Sequence, residues 1–151
     1  MAKSDGEQCR ASSTTAETRT PGVAANAWRT IKVPDPSHPI TIERNKHRVI
    51  VTLNGHVIAD TRAALTLREA SYPPVHYIPR EHVDMTALAR SATKSYCPYK
   101  GEAAYFSILA GGERSVDAIW TYEAPYDAVA EIMNHLAFYS ERVDAVEERA
   151  V

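Results

Sequence analysis

From Ile40 onward, apolar and polar side chains alternate with a period of two. Ile40, Ile42, Val49, Val51 and Leu53 interleave with Thr41, Glu43, Arg48 and Thr52. On a strand, that alternation sends one set of side chains inward and the other outward. The run ends at Asn54-Gly55, a strong hairpin signal because both residues tolerate positive φ, and Val57-Ile58-Ala59 supplies the returning strand. Leu65 and Leu67, spaced by Thr66 and followed by Arg68, predict a third strand.

Val75-His76-Tyr77-Ile78 is a short β segment with prolines on both sides, which places it at a sheet edge or a strand end. Asp84 is the expected N-cap of about one helical turn running to Arg90. Ala103–Ala110 and Val116–Tyr122 predict a hairpin around Gly111-Gly112. Pro125 opens a predicted helix to Leu136, with Val129, Ile132, Met133 and Leu136 at helical spacing. Ala137-Phe138-Tyr139 continues as strand or helix, and Glu147-Glu148-Arg149 reads as a fraying polar end. About six to eight short strands joined by hairpins predict a mainly β fold. It is a single compact domain of curved antiparallel sheets with one or two short helices, tent-like or barrel-like.

Residues 1–27 carry almost no large apolar side chain and cannot offset the entropy of ordering, so they read as a disordered tail. The domain is expected over 28–151, with a proline-punctuated lead-in from Val33 to Pro39.

Composition narrows the function classes. The chain has 151 residues, 44% hydrophobic and 24% charged, as a soluble single domain would. A net charge of −2 argues against nucleic-acid binding. No apolar run reaches the roughly 20 residues of a membrane span, and the N-terminus lacks a secretory signal's apolar core. The cytoplasm is therefore the expected compartment. Cys9 lies in the tail and Cys97 in the domain, so a structural disulfide is not expected. The six histidines have no metal-ligand spacing, so no metal and no cofactor is expected. Phosphate-loop, dinucleotide and Gly-x-Ser-x-Gly fingerprints are missing. Asp60, Asp84 and Asp117 are scattered, whereas magnesium-dependent phosphoryl or nucleotidyl transfer needs converging carboxylates.

Candidate chemistry concentrates in Cys97-Pro98-Tyr99-Lys100-Gly101. A thiolate is nucleophilic, and a nearby cation favours it. Pro98 fixes φ and Gly101 frees it, so such a turn can hold Lys100 over a carboxylate or phosphate. The same five residues also fit a plain tight turn with a buried cysteine. Arg80, after Tyr77-Ile78-Pro79, can fork onto an anion or form a surface pair with Glu81. Trp120 and Tyr122 share a strand face near Phe106, as a ligand wall or as core. His76 adjoins this region and can act as a base or proton shuttle.

In order along the chain come Tyr77-Ile78-Pro79-Arg80-Glu81-His82-Val83, Tyr96-Cys97-Pro98-Tyr99-Lys100-Gly101-Glu102-Ala103-Ala104-Tyr105, Ala118-Ile119-Trp120-Thr121-Tyr122 and Ala137-Phe138-Tyr139. Over roughly residues 38–146 this set resembles the family catalogued as domain of unknown function four-twenty-seven, which carries a nucleotidyltransferase-like label. The resemblance implies a compact β-rich fold, similar to tent-like sheet folds. It also implies a shared pocket drawn from Tyr77, Arg80, Cys97, Lys100, Gly101, Tyr105, Trp120 and Tyr122. The functional expectation is a small anionic, nucleotide-like ligand held by Arg80, Lys100 and Gly101 in a polar-aromatic pocket. The alternatives are a transferase or hydrolase using Cys97 with Lys100 and His76, and a non-catalytic protein-interaction module. A homodimer is left open.

Overall fold

The alternating segments form strands at the expected places. In the computed structural model of the chain, which describes residues 29–151, β1 is Ile40–Arg44, β2 Arg48–Leu53, β3 His56–Thr61, β4 Leu65–Glu69 and β5 Val75–Pro79. β6 is Leu88–Cys97, β7 Gly101–Ile108, β8 Ile119–Tyr122, β9 His135–Phe138 and β10 Ala145–Arg149. Asn54 and Gly55 take φ of 52° and 80° and close the β2–β3 hairpin as their residue types predict. Asp84 caps a single 3₁₀ turn over Met85–Ala87, its carboxylate accepting from Thr86 N at 3.1 Å. The tail expected over 1–27, with Cys9, lies outside the described residues.

All pairings between strands are antiparallel. One sheet has the order β1-β4-β5-β9-β8-β7-β6 and the other β10-β2-β3. The larger sheet ends in β1 and β6 and is not closed, so the barrel alternative does not apply. Alternation along its strands divides the core in two. On one face Ile78, Phe106, Ile108, Ile119 and Leu136 pack with Val49, Val51, Leu53 and Ile58 of the smaller sheet. On the other, Tyr77, Tyr105, Trp120, Tyr122 and Ala137 pack with Leu67, Val129 and Ile132. Phe106 therefore does not share a wall with Trp120; its neighbour Tyr105 stands opposite Trp120 instead.

Four expectations are corrected. Val75–Pro79 is not an edge strand: it lies between β4 and β9, with its prolines confined to the strand ends where the ladder stops. The helix expected over 125–136 is a pair of 3₁₀ turns within Asp127–Ile132, broken at Val129, followed by β9. Asn134 adopts φ 59° and redirects the chain, so Leu136 pairs with Ile78 and Thr121 in the sheet. Helical spacing loses here because β9 fills the gap between β5 and β8. The polar end Glu147-Glu148-Arg149 is ordered as part of β10, paired to β2. Finally, the helical turn expected to run from Asp84 to Arg90 ends at Ala87, and Leu88–Arg90 open a ten-residue strand, β6, whose pairing with β7 shifts register between Arg90 and Lys94. No helix among the described residues is long and apolar enough to cross a membrane.

Candidate functional site

The turn Pro98-Tyr99-Lys100 connects β6 to β7, closed by Lys100 N donating to Cys97 O at 3.2 Å. Gly101 takes φ 111°, a conformation open to glycine and strained for other residues. The Lys100 side chain does not face solvent. It is 4% exposed, and its Nζ donates to Glu69 Oε1 at 2.5 Å, with Glu69 itself 6% exposed. His38 Nε2 lies 2.7 Å from the other Glu69 oxygen, and the His38 ring stacks on Tyr99 at 4.1 Å and 2°. Burial alone would raise the Glu69 carboxyl. The Lys100 charge and hydrogen bond, helped by His38, reverse that and hold it below its ordinary value.

The lead-in segment is tied to the same turn. Lys32 N donates to Pro98 O at 3.0 Å, and Tyr96 Oη donates to Thr30 O at 2.6 Å. The Arg29 guanidinium sits over the Tyr96 ring at 4.5 Å. Cys97 is fully buried in the Tyr105–Trp120 cluster, where neither solvent nor a substrate reaches the thiol. A buried thiol and a paired ammonium make this turn a cross-brace between β1's lead-in, the end of β4 and the β6–β7 hairpin.

Arg80 lies elsewhere. It approaches Glu123 at 3.7 Å, and Arg90 reaches the same carboxylate at 2.5 Å. Both guanidiniums rest over Phe106, at 5.5 and 5.1 Å from the ring centroid. Arg80 and Lys100 thus sit in separate ion pairs, each with its own carboxylate.

A cavity of about 220 Å³ opens instead where strand pairing lapses. β5 and β9 pair only through Ile78↔Leu136 and Pro79↔His135. Beyond Ile78 the two strands part, and the cavity occupies the region between Pro74–His76 and Phe138–Glu141, with Val146 of β10 in its wall. Trp120 forms part of the lining, its ring tilted at 46° to that of Tyr139 with centroids 4.5 Å apart. The indole is fixed from behind by its N–H donating to Tyr77 Oη at 3.2 Å. Polar groups in the wall are His76, Ser140 and Glu141.

His76 is held between two neighbours. Its Nδ1 is 3.1 Å from Thr66 Oγ1, and its Nε2 is 3.5 Å from Glu148 Oε2. Burial pushes its pKa down, against the pull of Glu148 and with help from the exposed Arg68 charge. The Glu148 carboxyl is held below its ordinary value, chiefly by the hydrogen bond from Asn45 Nδ2 at 2.7 Å.

Of the residues marked in the sequence, His76 and Trp120 line the cavity and Tyr77 supports it. Tyr105 and Tyr122 are core, the Tyr105 hydroxyl bonding to Ser95 at 2.8 Å. Cys97, Lys100 and Gly101 form the brace, and Arg80 is at the surface. Sequence reading missed Tyr139, Ser140 and Glu141 in the wall and Glu69 in the brace. Glu69 had a signal: it follows Leu65 and Leu67 at even spacing, a carboxylate in the inward phase of a strand.

A family model described as a domain of unknown function (DUF427) matches residues 41–149. The chain belongs to this family. The matched span runs from β1 to the end of β10 and so contains the whole cavity wall and Lys100 with Glu69. His38, the third member of the brace, lies just before it. No curated protein matches the chain.

Proposed function

We propose that this DUF427 domain binds a small molecule in the cavity between β5 and β9. The observation that carries the reading is an open volume of about 220 Å³ bordered by Trp120, Tyr139 and His76 where the pairing of β5 with β9 lapses. Ligand sites are typically concave and mostly apolar, with a few converging polar groups. The volume exceeds the roughly 150 Å³ of an engineered apolar cavity that takes up benzene. It therefore suits a single ring with a short substituent. A nucleotide-sized ligand would extend out of it, and neither Arg80 nor Lys100 is in the wall to meet a phosphate. Binding, not covalent catalysis through Cys97, fits a thiol that solvent does not reach.

The Trp28→Phe variant leaves Trp120 as the chain's single tryptophan and turns its fluorescence into a reporter of the cavity. A panel of single-ring compounds of each charge type is titrated into it. At least one is expected to change Trp120 emission saturably, and Ser140→Phe, which plugs the exposed rim, is expected to weaken that response about tenfold or more. If no compound perturbs Trp120, or if Ser140→Phe has no effect, the reading fails.

A further inference from the structure

Resting on that reading, we infer that the cavity is selective for an organic cation, an ammonium group carried on a ring or short alkyl body. Three aromatic side chains, Trp120, Phe138 and Tyr139, contribute to the wall. Aromatic faces are electron-rich and attract cations that come within about 6 Å of the ring centre. The polar part of the wall is His76, Ser140 and Glu141; among the described residues lining it there is no Lys or Arg.

Electrostatics around the wall point the same way. Glu141 brings a carboxylate to the rim, and Glu148 stands behind His76 at 3.5 Å. Of the guanidiniums around it, Arg68 acts on His76 from an exposed position, and Arg114 and Arg142 are engaged with other groups. Arg114 pairs with Asp144 at 2.8 Å and donates to Val143 O and, through Nε, to the backbone of Glu141 at 3.3 Å. Arg142 donates to Arg114 O. An anion entering here would meet an acidic residue, Glu141, and three aromatic side chains, with no Lys or Arg among the described lining residues to receive it. An ammonium would meet a residue of opposite charge, Glu141, and an aromatic wall. The small anion expected from Arg80 and Lys100 is thus the ligand type least suited to this cavity.

Three isosteric probes separate the possibilities: benzylammonium, benzamide and benzoate, titrated into the Trp28→Phe protein at neutral pH. Benzylammonium is expected to bind about tenfold or more tightly than benzamide, with benzoate weakest. Glu141→Gln is expected to erase the benzylammonium advantage over benzamide. Equal binding of benzylammonium and benzamide, or an advantage untouched by Glu141→Gln, overturns the cation inference but leaves a binding cavity standing. Benzoate as the tightest ligand overturns it in favour of an anion. No response to any of the three removes the cavity reading as well.

Discussion

Lys100–Glu69–His38 and His76–Glu141–Trp120 are built from the same kinds of side chain, and the fold uses them in opposite ways. In the first cluster, ammonium, carboxylate and imidazole are closed against each other beneath a stacked tyrosine. In the second, an acidic residue, an imidazole and aromatic residues border a cavity. The difference lies in the backbone beneath them. The β6–β7 hairpin is paired up to Cys97↔Gly101, so its turn is pressed onto neighbouring chain. β5 and β9 stop pairing at Ile78↔Leu136, so their side chains splay. Conformationally fixed residues mark where a chain turns; interrupted pairing marks where a sheet leaves room for a cavity.

The largest expected effect tests whether the first cluster is a brace. Lys100→Met leaves the Glu69 carboxylate buried without its ammonium, a change that costs about 3–5 kcal/mol. Urea denaturation should register that loss, and Lys100→Met combined with Glu69→Leu should recover most of it because no buried charge remains unpaired. Glu141→Gln, at the rim of the cavity, should stay within about 0.5 kcal/mol of the parent. Equal losses for Lys100→Met and Glu141→Gln would dissolve the distinction between the two clusters.

A smaller effect is expected at the turn itself. At φ 111°, Gly101→Ala strains the backbone by about 1–3 kcal/mol. The added Cβ would sit 3.5 Å from Ala124 O, an ordinary contact, so the loss should come from conformation and not from a clash. Gly101→Asn tests this: φ 111° lies beyond the left-handed well at about +57° that Asn tolerates, so Asn should lose at least as much as Ala. Full stability in either variant would contradict the conformational argument.

The two clusters should also separate along the pH axis. His76 has a lowered pKa in the fold, so its contribution is present above the unfolded value of about 6.5 and fades as pH falls through the folded one. The Glu69 carboxyl is also lowered, so its contribution is present above about 4.3 and fades as pH falls through its folded value. Stability measured against pH should therefore decline in two steps on acidification. His76→Asn should flatten the upper step, and the Lys100→Met/Glu69→Leu pair should shrink the lower, which the lowered carboxyls of Asp35, Asp60, Asp144 and Glu148 share. One merged step, or a variant that flattens the other's step, would contradict the assignment.

Much of this fold could be read from alternation and turn chemistry. β2, β3 and their Asn54-Gly55 turn needed only local rules, as did the Asp84 cap. What failed was decided by distant partners. The Val129–Leu136 pattern is helical in spacing, yet Leu136 is drawn into β9 by Ile78 and Thr121. Glu147-Glu148-Arg149 is polar enough to fray but gains a ladder from β2. The site was legible only in part, for the same reason. His76 and Trp120 were marked by residue type, but the gap between β5 and β9 is a property of register, which no single segment encodes. The Lys100 pairing was not legible at all, because its partner Glu69 lies 31 residues away in the chain.

The smallest effect concerns the other cation that the sequence highlighted. The Arg80–Glu123 contact spans 3.7 Å between side chains 39% and 38% exposed, and Arg90 already holds the same carboxylate. An exposed pair of that kind contributes under about 1 kcal/mol, reduced further by salt. Arg80→Ala should therefore shift the urea midpoint little, part of the change coming from lost packing of its stem over Phe106. Its effect on Trp120-reported binding should be nil, because Arg80 is not in the cavity wall. A marked loss of probe binding in Arg80→Ala, with stability intact, would move the ligand site to the Phe106 face. It would also restore the guanidinium to the role that its place after Pro79 first suggested.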